Sequence, residues 1–580
     1  WHSRGSIGVN RSIMSLRKIK RRAGFARAGL GVAIPGLLVT FASHAALAQV
    51  RPDAGGVARD VAPIEALPAP SKDRSLALPK DTDTDALPQD GTRISVRRVR
   101  VTGAHLYSPR VLEALVFGLN DGERTLADLV RGAARITHFY RDHGWLLAHA
   151  YVPAQSIKNG DVEIRVEEGT LSSVHVVNDP HSRLRSSVID AHLAAIERGA
   201  PLNQPEVDRA LLLLSDLSGA RLTANLTAGA QPGQTVLDVR NAATPLVSGE
   251  LSADNYGSRY TGKARIGGSL SLNSPLGYGE QFTAHFLASN SNLYYGRLAG
   301  QMPVANAGLS TGMSLTHTQY LLGSDFAALG ARGRADIVQW NLAYAVVRSV
   351  PVNVIGQFTS EYRDLFDEVG ATSSDTHKHA FHQSINLLFS GKDELIAGAN
   401  TQAALRLGTG TLTVLSQPAA AIDAAGAQST GRYGTLNLDL QRNQQLSNRW
   451  SLLLSARGQL ASRNLDSYQK FTLGGPGGVR AYPAGEGTGD EGWLASAELS
   501  YKISPMLIPS VFYDLGGVTI NKHPYLDSAN SRVLRGYGAG IHGSRGTFTW
   551  SIALAFRGAQ HAQAEPDSPM RGWVQIGWAF

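Results

Sequence analysis

From Leu246 to Phe580 the sequence runs in segments of about ten residues in which apolar and polar side chains alternate, with Gly, Asn, Asp and Ser turns between them. A period of two is the signature of a strand with two different faces. Phe548, Trp550, Ile552, Leu554 and Phe556 share one face, and Thr547, Thr549, Ser551, Ala553 and Arg557 share the other. Leu436, Leu438 and Leu440 alternate with Asn437, Asp439 and Gln441. Val574, Ile576, Trp578 and the terminal Phe580 form a last apolar face. About sixteen such segments are present, the least distinct between 335 and 410. A soluble β-sandwich also alternates, but it seldom needs so many strands together with a leader and a C-terminal aromatic. The fold expected is an all-β transmembrane barrel of about 16 antiparallel strands, with an apolar band outside and a wet lumen inside.

The formal net charge of +8 invites a nucleic-acid partner, but residues 1–48 hold eight basic residues and no acidic one. Without them 47 basic residues face 47 acidic ones, so no nucleic acid is assigned. Residues 18–22 are a charged start, 30–47 are mostly apolar, and Ala46-Leu47-Ala48 is a small-x-small cleavage site before Gln49. Residues 1–48 thus read as a signal peptide, with Met14 a candidate true start. No other run approaches the ~18 apolar residues of a spanning helix. Zero cysteine fits passage through an oxidising compartment.

Residues 49–90, rich in Pro, Asp and Ala, read as an extended linker. Pro52, Gly55, Gly56 and Pro63 disfavour a long helix over 49–66, and the capacity of this region to plug the barrel stays open. Residues 91–170 then follow a β-α-α-β-β order. Ile94, Val96, Val99 and Val101 mark a strand, and Ser108-Pro109 opens a helix that Gly118 closes. Thr125 and Asp128 resemble a capping box, and Asn159-Gly160 joins two strands. Residues 171–241 repeat that order, and 242–580 form the barrel.

Two places stand out within the barrel. One is the run from Phe471 to Pro483, in which Gly474, Gly475, Gly477, Gly478 and Pro476 permit tight turns around Arg480. Such a run also suits a mobile surface loop. The other is the segment 507–516, where alternation turns Ser510, Phe512, Asp514 and Gly516 to the lumen. A carboxylate buried there requires a cation, and Lys502 and Arg535 are candidates beside the loop arginine. Gly538, Gly540 and Gly543 spell a GxGxxG, but no helix follows and the run lies in an alternating strand. His377, His379 and His382 are accounted for by a polar loop or lumen face, and no metal or other cofactor is assigned. No nucleophile elbow, Walker loop or catalytic carboxylate pair is found, so no enzyme is expected.

Val479-Arg480-Ala481-Tyr482-Pro483 resembles the Val-Arg-Gly-(Tyr/Phe) loop of two-partner secretion outer-membrane transporters, the TpsB class (FhaC/ShlB-like). Ala481 stands where that family usually has glycine. Phe512-Tyr513-Asp514-Leu515-Gly516 matches the family's Phe-x-Asp-x-Gly strand motif. The two modules resemble POTRA domains, with residues 211–219 like the second, and residues 254–257 and 273–277 resemble early barrel strands. The resemblance implies an ion pair from Arg480 to Asp514 that tethers an inward-folded loop. It also implies residence in the bacterial outer membrane, in contact with its lipid, with Phe580 as the C-terminal barrel signal and the barrel assembly machinery as partner in biogenesis. The implied function is export of a large TpsA-class exoprotein, an adhesin, haemolysin or toxin, recognised unfolded by periplasmic POTRA domains. An outer-membrane protein insertase is the first alternative and a porin-like solute channel the second.

Overall fold

Sixteen antiparallel strands, each hydrogen-bonded to the next in sequence, close into a barrel among the described residues. The structure, a computed structural model, describes residues 52–62, 76–77, 93–305 and 307–580. The expected leader, Met14, the cleavage site before Gln49 and most of the 49–90 segment lie outside the described residues. The barrel strands are β1 (Val247–Asp254), β2 (Arg265–Asn273), β3 (Gln281–Ser289), β4 (Leu293–Ala305), β5 (Leu309–Leu321), β6 (Ala331–Arg348), β7 (Val352–Val369) and β8 (Ser374–Asp393). They continue as β9 (Ala399–Val414), β10 (Gly431–Gln445), β11 (Trp450–Ala461), β12 (Glu491–Tyr501), β13 (Ile508–Thr519), β14 (Ser531–Arg545), β15 (Phe548–Arg557) and β16 (Met570–Ala579).

The seam is closed by β1 on β16, from Glu250 opposite Ala579 to Asp254 opposite Gln575. Closure leaves no sheet edge, which lipid demands because it cannot bond a free peptide group. Outward side chains such as Leu298, Leu407 and Ile385 are more than 60% exposed, a lipid-facing surface rather than a water-facing one. Strands β6 to β9, the region where alternation is least distinct, are the longest, with 18, 18, 20 and 16 residues. Their outward positions carry Arg332, Arg334, Asp364 and Glu368 towards one rim. The strands therefore outrun the apolar band, and the pattern fades where both faces are polar.

Two α/β modules precede the barrel. In the first, the expected opening strand is split at Arg97 into Arg93–Val96 and Arg98–Thr102. Ser108 makes no side-chain cap, so Pro109 alone begins the short helix Pro109–Leu115. The helix Leu126–Asp142 has a full capping box. The Asp128 N–H donates to Thr125 Oγ1 at 3.2 Å, and the Thr125 N–H to Asp128 Oδ2 at 2.9 Å. These bonds to Thr125, with the Arg131 guanidinium, hold the Asp128 carboxyl down at about 2. Leu129, Ala133, Ile136 and Tyr140 then fill the core against Val99, Val101 and Ile164. Tyr140 OH donates to Glu168, which also accepts the N–H groups of His105 and Leu106, each at 2.8 Å. Asn159 and Gly160, with φ of 55° and 74°, supply the left-handed pair of a tight hairpin turn.

The second module repeats the topology. Thr170–Asn178 runs parallel to Gln234–Asn241, which pairs antiparallel with Leu222–Ala228. In the first module Arg98–Thr102 is parallel to Asp161–Glu167, and His149–Tyr151 antiparallel to it. Leu76–Ala77 adds a short parallel strand beside Leu222–Ala228. Leu211 and Leu214 of the helix Gln204–Ser215 enter the module's core. Leu213 instead reaches the barrel turn at Gly308, where a Cβ would lie 2.8 Å from it. Arg348 at the end of β6 forks onto Asp216, with Nε and Nη2 each 2.6 Å from a carboxylate oxygen. This module is thereby docked against the near rim of the barrel.

Residues 54–61, expected to be extended, form a helix (Ala54–Val61) inside the lumen towards the far rim. Asp53 caps it by accepting the Gly56 N–H at 2.9 Å. Tertiary packing overrides the weak propensity, and glycine is required there. A Cβ on Gly55 would lie 2.6 Å from Ser467 Oγ. Ala54, Val57 and Ala58 pack against Tyr320, Leu365 and Tyr468. Lys378 bonds both Asp53, at 3.2 Å, and Asp466, at 2.7 Å.

Two outcomes are expected. Arg348→Ala removes a charge-assisted fork worth about 1–2 kcal/mol, and amide exchange in the helix Gln204–Ser215 should rise roughly tenfold in a hydrogen-exchange comparison of whole proteins. Asp128→Asn should lower thermal stability at neutral pH. Because the folded Asp128 pKa is depressed, its contribution is present above the ordinary carboxylate range and is lost as pH falls towards about 2. The difference between the two melting curves should therefore vanish over that window.

Candidate functional site: an arginine loop fastened inside the barrel

Between β11 and β12 the chain folds back into the lumen. A short pairing of Phe471–Thr472 with Thr488–Gly489 forms its neck. Beyond the neck the backbone bonds itself. The Val479 N–H donates to Leu473 O at 2.7 Å, the Gly478 N–H to Gly475 O at 3.0 Å and the Gly475 N–H to Tyr482 O at 3.1 Å. Gly475 has φ of 109°, and a Cβ on Gly478 would stand 1.9 Å from Leu473 O, so both need glycine. The loop is therefore a packed structure and not a mobile surface loop.

Arg480 sits at its tip. Nε donates to Asp514 Oδ2 and Nη2 to Asp514 Oδ1, both at 2.9 Å, and the Arg480 backbone N–H reaches Oδ2 at 3.0 Å. Nη1 donates to Glu498 Oε2 at 2.6 Å. The guanidinium carbon lies 3.4 Å from the ring centre of Phe512, and Ser496 Oγ donates to Asp514 at 2.7 Å. Asp514 on β13 is fully buried. One guanidinium thus faces two carboxylates from neighbouring strands. Alternation on β12 turns Glu498 inward, opposite Phe512, a placement legible in the sequence by the same rule that turns Asp514 inward.

Around Arg480, Val479 and Tyr482 are fully buried, and Ala481 and Pro483 are buried too. The Arg480 carbonyl accepts Trp573 Nε1–H at 2.7 Å, and Tyr482 OH donates to Gln560 O at 2.9 Å. Ala481 has an ordinary backbone. Its Cβ rests on Gly536, where an added Cβ would come within 2.8 Å. Gly516 lies equally close to Leu473, and Gly538 to the Phe512 ring. Gly516 and Gly536 thus belong to the wall on which the loop lies, whereas Gly538, Gly540 and Gly543, which spell a nucleotide motif on β14, pack against Phe512, Ser510 and Met506.

Two further carboxylates hold the loop and have no motif to announce them. Glu486, fully buried, accepts from Arg532, from the Gln563 N–H at 2.9 Å and from the Ala564 N–H at 2.7 Å. Asp490, also fully buried, accepts from Lys470, from the Leu465 N–H at 3.0 Å and from the Lys522 N–H at 2.8 Å. Phe580 lies away from the loop at the near rim. It exchanges backbone bonds with Gly249, and its exposed ring lies 5.5 Å from that of Trp578.

The packing gives a direct test. Gly536→Val keeps a strand-compatible residue but overfills the seat of Ala481, at a cost of about 1–3 kcal/mol. The loop should lift, and a thiol placed by Val479→Cys, a position fully buried in the parent, should label several times faster when Gly536→Val is added.

Comparison with known proteins identifies the family. Residues 233–543 match the haemolysin secretion/activation protein ShlB/FhaC/HecB family, and residues 94–169 match the ShlB-type POTRA domain. The heme/hemopexin transporter protein HuxB of Haemophilus influenzae (strain 86-028NP) is 26% identical over 443 residues, covering 75% of this chain and 78% of the relative. The outer membrane transporter CdiB of Dickeya dadantii (strain 3937) is 20% identical, covering 84% and 87%. The solved structure of CdiB from Escherichia coli shares the fold with a TM-score of 0.66 at 18% identity, covering 87% of this chain and 92% of that one. With the family match spanning more than half of its length, the chain belongs to the haemolysin secretion/activation protein ShlB/FhaC/HecB family.

Proposed function

We propose that the chain is the outer-membrane pore of a two-partner (type Vb) secretion system. It would pass one extended exoprotein of the TpsA class from the periplasm to the cell surface. The α/β modules at the near, periplasmic rim receive the unfolded partner. Strand addition to a sheet edge is the mode such modules favour, because an unfolded chain offers a backbone before it offers a shape. The lumen in the resting state is occupied by the loop around Arg480 and by the helix Ala54–Val61. Passage therefore requires their rearrangement.

The observation that carries the loop's role is the Arg480 fork on Asp514, shared with Glu498. A fork of this kind sets orientation as well as attraction, which a lysine at the same place does not reproduce. Removing one partner leaves a buried charge, a penalty of roughly 3–5 kcal/mol. We assign Arg480 the task of holding the loop in one register from which transport starts. The reading needs no catalytic step. Direction comes from folding of the exported chain outside, since the periplasm holds no nucleotide supply for a motor.

Arg480→Ala is expected to abolish secretion while the barrel still reaches the membrane in normal amount. Comparison of the secreted and outer-membrane proteins of cells carrying each variant checks this. Normal secretion by Arg480→Ala at wild-type protein level would sink the assigned role. Loss of many membrane barrels on deletion of the chain would point to an insertase instead.

A further inference from the structure

On the outer wall of the barrel, towards the extracellular rim, three metal-ligating side chains converge where β7 meets β8. Asp364 of β7 is directly opposite His379 of β8, and His377 is the next outward residue along β8. His377 Nε2 lies 2.7 Å from Asp364 Oδ1, and His379 Nε2 lies 3.7 Å from Asp364 Oδ2. The three ligand atoms all fall within 4.8 Å of one another. The two imidazoles stand at 88° with centroids 4.8 Å apart, so they present nitrogens rather than stacked faces. Spacing along the sequence places the histidines on one face. The carboxylate comes from the neighbouring strand, which only the register shows.

We propose that Asp364, His377 and His379 form a three-ligand site for a divalent transition metal, with Zn2+ the best match. Two imidazoles and one carboxylate are a donor set that zinc and its neighbours take with an open position for water, whereas calcium and magnesium require more oxygens. Tetrahedral bonds of about 2.0–2.1 Å place ligand atoms roughly 3.3 Å apart. The present spacings bracket that value, so rotation of side chains closes the site without moving the strands. Each side chain is about a third exposed, which leaves the fourth position to solvent.

The surroundings hold the ligands and admit the ion. Tyr362 and Phe381, paired across the same two strands one outward step nearer the membrane centre, mark the aromatic girdle. The cluster therefore lies just outside the apolar band, where a hydrated ion arrives freely. The Tyr362 ring lies 5.6 Å from His379, and the Phe366 ring lies 6.0 Å from His377. The His377 backbone N–H donates to Ser416 Oγ at 2.9 Å, and Ser416 Oγ donates to Asp375 at 2.9 Å, which fixes the end of β8. His382 is excluded from the site. It faces the lumen, with Nδ1 3.0 Å from Tyr433 OH. His317 and Asp336, 2.6 Å apart on β5 and β6, continue the same outward row, with Asp336 directly opposite Asp364. His382, on the inward face of β8, is the control for an imidazole of the same strand. Bound metal would join β7 to β8 near the top of the longest strands.

The test uses tag-free, chelator-stripped protein in detergent, titrated with Co2+ and read by its d–d absorption, with Zn2+ as competitor and bound metal counted after gel filtration. One ion per chain is expected. His377→Gln, His379→Gln and Asp364→Asn should each weaken binding by at least about tenfold, while His382→Gln binds as the parent does. Absence of a metal band in the parent, or undiminished binding in the double variant His377→Gln/His379→Gln, would overturn the site and leave a charge pair only. A second measurement serves where a variant fails to assemble. In the parent, Zn2+ should protect His377 and His379, but not the exposed His181, from acylation by diethyl pyrocarbonate mapped by mass spectrometry. Equal modification with and without Zn2+ would overturn the proposal as well.

Discussion

A bilayer offers no hydrogen-bond partner to a peptide group, so every backbone N–H and C=O at membrane depth must be satisfied within the protein. The closed sheet from β1 to β16 meets that demand and dictates much else. Because side chains alternate along each strand, one half is given to lipid and the other to the lumen. Whatever lies in the lumen is then held mainly by inward side chains, and those are free to be charged. The wall is rigid because its peptide groups are committed, while its contents are held by a few ion pairs and small apolar patches.

The loop between β11 and β12 shows what that division means energetically. Asp514, Glu486 and Asp490 are fully buried, and each is answered by a cation together with backbone N–H groups. Pairs of this kind lose in desolvation much of what they gain by attraction, so they select a conformation more than they add to stability. The loop also buries Leu473, Val479, Ala481 and Tyr482 against the wall, so adhesion comes from the apolar cluster and register from the charges. On release the charges move into a hydrated lumen where each half is solvated again.

The parts legible in the sequence are those governed by a local rule. Alternation located β13 and turned Asp514 inward, and Thr125 with Asp128, or Asn159 with Gly160, declared a helix start and a tight turn. Glu498 obeyed the same alternation on β12, but no motif drew attention to it. Glu486 and Asp490 had no local signal, because their partners lie tens of residues away and are brought near only by the fold. The helix Ala54–Val61 ran against local propensity, since Gly55 is a poor helix former but the only residue that fits against Ser467 and Tyr468. Strands β6 to β9 were indistinct for another reason. Their ends leave the lipid, and without lipid the two faces need not differ.

The wall beneath the loop carries Gly516 and Gly536, placed where side chains would collide with Leu473 and Ala481. Gly536 lies directly opposite Asp514, and Glu498 lies opposite Phe512 on the neighbouring strand. Once the loop moves aside, the emptied lane is low in relief at its glycines and acidic at the two carboxylates that Arg480 had answered. A polypeptide threading past meets little to interlock with there, but it meets charge, so the strip is smooth in shape without being neutral.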